Sequence, residues 1–244
     1  WFLGEPRNFF KNINNVEEVS FKKNLTTSLP QKNTYKNKDL ERVDVFFPIT
    51  HGKHGEDGVL QGIIELTGKP YVGSDVYGSS ICMDKDVTKR LLSQRGIPVA
   101  RQRLIRNIGE VTFEEASKEI GLPIFVKPCR EGSSLGVSKV NSKEEYDKAL
   151  IDAFYFDRKV LLEEAIIGRE IECSVLGNDF PKVAPVLGEI VPLKEFYSYE
   201  AKYVDEDGAE LLIPAKIESE IISRIRETAA EAFLLTECRG MARV

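Results

Sequence analysis

Histidine is almost absent from this chain, with only His51 and His54, and the four cysteines, Cys82, Cys129, Cys173 and Cys238, stand far apart with no C-x-x-C spacing. A zinc centre needs nitrogen and sulfur donors at short, paired spacings, so this scarcity argues against one. The same cysteine usage gives no disulfide framework and fits the reduced thiols of a cytosol. No apolar run approaches the roughly 20 residues of a membrane span, and no leader-like segment is visible, so no membrane partner is expected. The chain opens on Trp1 rather than methionine, which leaves room for a leader removed ahead of it. Basic runs with interleaved aromatics are missing and the formal charge is −5, which leaves no electrostatic reason to expect nucleic acid. The G-x-x-x-x-G-K-[ST] spacing of a P-loop is absent, as are internal repeats and low-complexity segments.

What is present is an ordinary globular composition, 42% hydrophobic and 30% charged over 244 residues, enough for one large domain or two to three small ones. The stretch from Pro123 to Val137 reads as strand, loop and strand. Ile124, Phe125 and Val126 are a short apolar run, Lys127 ends it, Gly132-Ser-Ser-Leu-Gly136 is a turn, and β-like alternation resumes to Val140. In such a loop, backbone N–H groups converge on phosphate oxygens, glycine lets the backbone approach and serine hydroxyls add donors. Taken alone, the stretch is equally a hairpin with a polar tip.

Residues 21–42 are polar and aperiodic and read as an exposed connection. Val43 to Ile49 reads as a buried strand, followed by the loop Thr50 to Gly58. Leu60, Ile63 and Ile64 lie on one helix face that Gly68 ends, and Pro70 to Gly73 is the next strand. Residues 43–73 are therefore predicted as a β-α-β unit of a parallel sheet. Asp84 can N-cap a helix through Val87, Leu91 and Leu92, which Gly96 and Pro98 stop, and a boundary is placed near residue 80. Two capping boxes, Thr112-x-x-Glu115 and Ser142-x-x-Glu145, open helices on either side of the Lys127 hairpin. Val160 to Glu163 is a strand, and Glu170 to Leu176 alternates with Ile171, Cys173 and Val175 on one face, as in antiparallel sheet. Residues 183–191 continue the β character, 194–210 are a polar, Tyr-rich loop, 218–236 are an amphipathic helix, and Gly240 begins a strand.

Four stretches coincide in order and spacing with one family. They are His51-Gly-x-x-Gly-Glu-Asp-Gly-x-x-Gln-Gly62, Met83-Asp-Lys85, Val126-Lys-Pro-x-x-Glu-Gly-Ser-Ser-x-Gly136 and Phe196-Tyr-x-Tyr-Glu-Ala-Lys-Tyr203. Through them the chain resembles the D-alanine:D-alanine ligases of the ATP-grasp superfamily over nearly its whole length. The resemblance implies a mixed α/β (α+β) ATP-grasp fold, with an N-terminal parallel α/β domain and two antiparallel-sheet subdomains that sandwich ATP. The expected divisions are 1–80, 81–165 and 166–244. It further implies that ATP phosphorylates a D-alanine carboxylate and that the amine of a second D-alanine attacks the acyl phosphate. The product would be D-alanyl-D-alanine for peptidoglycan, made in a bacterial cytoplasm by a homodimer, with ATP and Mg2+ (or Mn2+).

Residue by residue, Lys85 and Lys127 match the family's phosphate lysines; outside these motifs each would read as a solvated surface lysine. Phosphoryl transfer needs positioning and charge neutralisation, which lysines supply as point charges. The Gly132 to Gly136 loop resembles a lid over the phosphates, with Ser133 touching substrate. Glu163 and Glu170 resemble the acids that meet adenine and ribose, against the plainer reading of an acidic sheet edge. Ile166 matches the segment whose backbone holds the adenine edge, and Glu164 departs from the lysine of some relatives. His51, at the end of a strand, matches a substrate-binding position, whereas Glu56 and Asp57 read better as caps of the next helix. Lys202 would face the transferring phosphate, and Tyr203 would contact Ser133 and set the acceptor. The depsipeptide-forming relatives of vancomycin resistance carry a histidine near this position, so Tyr203 favours an amine acceptor. Arg243 resembles the arginine that stabilises the tetrahedral intermediate.

The family's metal ligands fall beyond Val244, and its N-terminal strand with a Gly-rich turn and a substrate-orienting glutamate falls before Trp1. None is in this sequence, so the chain as written is expected to be catalytically weak or dead and to be a portion of a longer ligase, since a helix followed by half a strand is no natural end. The alternatives are another ATP-grasp ligase joining D-alanine to D-serine or D-lactate, and a truncated, non-catalytic nucleotide-binding fragment.

Overall fold

Apolar residues three and four apart followed by a glycine make the first described helix, α1 (Val59–Thr67), which Gly68 ends in the left-handed conformation. The computed structural model describes residues 42–192 and 209–244. The segments flanking α1 meet in parallel at Phe46 and Tyr71, where Phe46 N–H donates to Pro70 O and Val72 N–H to Phe46 O, both at 2.9 Å. The β-α-β order and its parallel sense are as expected, but the run Val43 to Ile49 is not a buried strand. Val45, Phe47 and Ile49 are exposed, Pro48 offers no N–H to a neighbour, and among the described residues the pairing of this run is a single bridge.

Two further helices follow, α2 (Val76–Met83) and α3 (Lys85–Gln94), joined at Asp84, which ends one and caps the other through Val87 N–H. Helix α2 runs across residue 80, where the sequence suggests a boundary.

Beyond α3 lies a four-stranded antiparallel sheet ordered β1 (Gln102–Ile105), β4 (Val160–Glu164), β2 (Ile124–Pro128), β3 (Ser138–Val140). Helices α4 (Phe113–Ile120) and α5 (Lys143–Phe156) cover one face, and Ile124, Val126, Leu162, Ile120, Tyr146 and Leu150 close the core between them. Because side chains alternate across a strand, burying Ile124 and Val126 sends Phe125 and Lys127 to the opposite face. Both capping boxes form: Thr112 Oγ1 accepts from Glu115 N–H at 3.2 Å and Ser142 Oγ from Glu145 N–H at 3.3 Å, while each glutamate reaches back to its cap residue's N–H. Ser142→Ala is expected to lower stability by about 1 kcal/mol in urea unfolding, and an unchanged midpoint would remove the cap from the account.

The remaining described strands build two three-stranded antiparallel sheets, β5 (Glu170–Glu172) with β8 (Gly188–Pro192) and β9 (Ala209–Leu212), and β6 (Ser174–Gly177) with β7 (Lys182–Val183) and β10 (Gly240–Arg243). The expected single strand Glu170 to Leu176 is thus divided at Cys173 between two sheets. Cys173 instead exchanges both backbone hydrogen bonds with Val244, at 2.7 and 2.8 Å. Helix α6 (Ser219–Leu235) packs Ala229 and Phe233 on Cys173, Val175 and Leu187.

Candidate active site

Strand β2 carries Lys127 on the face away from the helices, and β4 places Glu163 diagonally beside it, since Phe125 faces Glu163 and Lys127 faces Leu161 across the ladder. The Lys127 ammonium pairs with Glu163 Oε1, and Lys89 from α3 pairs with Oε2. All three side chains are less than one-fifth exposed. Burial pushes the Glu163 carboxyl up, but the Lys127 charge and the hydrogen bonds from Lys127 and Lys89 outweigh it and hold the group below the usual carboxylate range.

Lys85 opens α3 and lies against the chain leaving β2. Its Nζ donates to Glu131 O at 2.5 Å and to Cys129 O at 3.4 Å. Burial, and next the charge of Lys127, press its pKa below the ordinary lysine value. Lys85, its charge disfavoured by burial and by the neighbouring Lys127, forms with that lysine a cationic spot that an anion between them would stabilise.

The loop after β2 is anchored before it turns. Arg130 grips Asp157 through Nε at 3.1 Å and Nη2 at 2.5 Å, and Asp157 also accepts from Arg130 N–H at 2.9 Å. Ser133 and Ser134 then take left-handed conformations, φ 53° and 60°, tightening Gly132 to Gly136. A Cβ on Gly132 would lie 3.1 Å from Gly52 Cα, so this loop touches the turn that carries His51, and Lys53 closes the contact with a 3.1 Å ion pair to Glu131. Asp57 accepts from Val59 N–H at 3.1 Å and Glu56 from Gly52 N–H at 2.5 Å, so Asp57 serves the helix start as expected while Glu56 folds back on the turn. A cleft of about 520 Å3 lined by Lys53, Asp57, Met83, Asp84, Arg130 and Asp157 adjoins this region without including Lys85, Lys127 or Glu163.

The structure therefore brings Lys85, Lys127 and Glu163 together and sets Ser133 and His51 on touching loops. Ile166 and Ile167 are exposed, at 68% and 100%, on the connection from β4 to β5, and Glu170 is exposed at the start of β5. Glu164 is explained by Arg101, whose N–H and Nε it accepts at 2.7 and 2.6 Å. Arg243, on β10, pairs with Glu172 at 2.8 Å. Lys202 and Tyr203 lie outside the described residues.

Two contributors escaped the sequence reading. Lys89 sits one turn after Lys85, an i, i+4 spacing that puts both on one helix face. Lys159 reaches both Asp84 oxygens at 2.8 Å and Asp86 Oδ2 at 2.9 Å, fastening the start of α3, and with it Lys85, to β4. A charged residue directly before the apolar run Val160-Leu-Leu was its only signal. Among the described residues no three His, Cys, Asp or Glu side chains converge as a metal site, so these residues do not by themselves fit a magnesium ion.

The family model described as "D-ala D-ala ligase C-terminus" matches residues 91–244, and that described as "D-ala D-ala ligase N-terminus" matches residues 1–74. The D-alanine–D-alanine ligase of Oceanobacillus iheyensis is 52% identical over 209 residues, covering 85% of this chain and 57% of the relative. D-alanine–D-alanine ligase A of Escherichia coli K12 is 45% identical over 254 aligned positions, covering all of this chain and 70% of the relative. Among solved structures, the D-alanine-D-alanine ligase of Coxiella burnetii superposes with a TM-score of 0.72 at 36% identity, over 83% of this chain and 53% of that one. The VanG D-Ala:D-Ser ligase of Enterococcus faecalis gives 0.70 at 41%, over 83% and 59%. The chain thus spans between about half and 70% of the length of these relatives.

Proposed function

The chain belongs to the D-alanine–D-alanine ligase family, whose fold is ATP-grasp, and on that premise we propose that its protein is an ATP-dependent ligase joining two D-alanines into D-alanyl-D-alanine. The observation that carries the reading is the convergence of Lys85 and Lys127 beside the Gly132 to Gly136 loop, a paired positive charge next to backbone donors. In this reading ATP phosphorylates the carboxylate of the first D-alanine, and the amine of the second attacks the acyl carbon and expels phosphate.

Lys85, Lys127 and Lys202 neutralise the phosphates, and Arg243 directs a fixed fork of donors at the tetrahedral oxyanion. Glu163 keeps lone pairs beyond those used by Lys127 and Lys89, and with Glu170 it accepts from the ribose and adenine. The exposed Ile166 to Ile167 connection supplies backbone and apolar surface to the adenine ring. Ser133 and Tyr203 order the acceptor, and His51, on the turn that Gly132 touches, binds substrate. The Gly132 to Gly136 loop excludes water that would hydrolyse the acyl phosphate. A bound magnesium ion would add charge neutralisation at the phosphates, and among the described residues no cluster of His, Cys, Asp and Glu would hold it. The proposal extends to a cytoplasmic homodimer acting on D-alanine and ATP; the relatives come from bacteria, and no helix among the described residues is long and apolar enough to cross a membrane.

Full-length protein given ATP, magnesium and D-alanine is expected to release ADP only with D-alanine present and to yield D-alanyl-D-alanine by mass spectrometry. ADP release without the dipeptide would overturn the proposal. The 41% identity to a D-Ala:D-Ser ligase gives a second reading a footing. Equimolar D-alanine and D-serine in one tube separate the two, because a D-seryl product at higher yield would move the assignment to that acceptor.

A further inference from the structure

Helix α2 and the segment leading into β10 pack backbone to backbone. A Cβ on Gly78 would stand 2.6 Å from Glu237 O, one on Gly240 would stand 2.8 Å from Gly73 O, and Ser74 Oγ exchanges 3.2 Å hydrogen bonds with the Arg239 backbone. Within this seam Cys82 Sγ lies 3.4 Å from Cys238 Sγ, although 156 positions separate them in sequence. Cys82 is exposed and Cys238 buried.

We propose that Cys82 and Cys238 are a reversible thiol pair, which hydrogen peroxide oxidises to an intramolecular disulfide joining α2 to the segment that leads into the strand carrying Arg243. The inference concerns a modification site and does not depend on the ligase reading. The close approach of the backbones on both sides of the pair leaves only a short side-chain movement to reach a bond of about 2.05 Å. Chemistry supports the geometry. The Cys82 thiol donates to Cys238 and, with the Thr236 hydroxyl 3.3 Å away, lowers the Cys238 thiol against the opposing effect of burial, while the same hydrogen bond and burial raise the Cys82 thiol. Thiolate is the nucleophilic form. The thiolate takes one peroxide oxygen as a sulfenic acid and releases hydroxide, which the shared proton converts to water. The second sulfur then displaces the sulfenic hydroxyl as hydroxide, which takes up the proton that Cys238 gave to solvent on ionising, so two thiols and one peroxide give one disulfide and two waters. Cys129 and Cys173, also free, are buried at 0% and 2% exposure and take no part.

The bond would lie three residues before Lys85 and five before Arg243, and would lock the seam between the segments carrying them. The test is to treat reduced full-length protein with hydrogen peroxide, block remaining thiols with N-ethylmaleimide after denaturation, and digest with trypsin without reductant. The expected result is a species containing His54–Lys85 joined to Glu227–Arg239, lighter than their sum by two hydrogens and returned to free peptides by dithiothreitol. Cys82→Ser, a change at an exposed position, should abolish it while the protein stays folded by circular dichroism. A cross-link to any other cysteine, or Cys82 and Cys238 both still carrying maleimide under peroxide that oxidises free glutathione, overturns the proposal.

Discussion

Lys127→Ala in the full-length protein is expected to lower kcat/KM for ATP by about 10²- to 10³-fold, the loss seen when a charge-stabilising donor is removed from a developing oxyanion. Lys127 is held at the end of β2, with its ammonium fixed by Glu163 and lying 5.6 Å from the Phe125 ring centroid. Its removal should leave the fold in place, because Glu163 keeps Lys89 and the core face of β2 is untouched. Arginine should restore little, since its planar fork needs room that a point charge does not. A second readout separates a phosphate contact from a purely structural role. Burial and then the Lys127 charge lower the Lys85 pKa. Deleting that charge should raise it, moving the alkaline limb of the kcat/KM profile to higher pH, where free-enzyme groups are reported. Wild-type turnover in Lys127→Ala would remove the lysine pair from the site, and an unmoved alkaline limb would separate Lys85 from that limb.

The parts of this site legible in sequence are those fixed by local rules. The hairpin of Lys127, both capping boxes, and the glycine that ends α1 follow from turn chemistry and period, and each forms as read. What escaped depends on partners distant in the chain. Ile171, Cys173 and Val175 all pack toward one core, so their alternation reads as one strand; the switch of hydrogen-bond partner at Cys173 is dictated by β8 and by Val244. Helix α2, Val-Tyr-Gly-Ser-Ser-Ile-Cys-Met, has weak propensity and no clear apolar stripe. It is held by Asp75, which accepts from Tyr77 and Gly78 N–H at 2.9 Å, and by the close approach of Glu237 to Gly78. The apolar run Val43 to Ile49 has strand composition, yet among the described residues it finds a single bridge. Composition sets what a segment can bury, and its neighbours decide what it does bury.

The largest stability effect is expected at Lys159. Its ammonium, 9% exposed, lies between Asp84 and Asp86, the latter 5% exposed, so Lys159→Met leaves two carboxylates facing each other with, among the described residues, Arg90 alone to answer Asp86. Breaking a buried pair from one side costs about 3–5 kcal/mol, because the stranded charge keeps its desolvation penalty. Burial opposes both charges, but the hydrogen bonds of the cluster prevail, lowering the Asp86 carboxyl and raising the Lys159 ammonium. The depressed carboxyl contributes stability that is complete above an unfolded value of about 3.9 and is lost as pH falls through its folded value. The raised ammonium contributes stability complete below about 10.4 and lost as pH rises through its folded value. Urea unfolding of wild type and Lys159→Met should therefore differ by a nearly constant amount across neutral pH and converge toward both extremes. Adding Asp86→Leu to Lys159→Met removes the stranded charge and should recover much of the loss, whereas Asp84 remains to cap α3. A difference below about 1 kcal/mol at neutral pH, or no recovery in the double variant, would show that this cluster does not hold Lys85 in place.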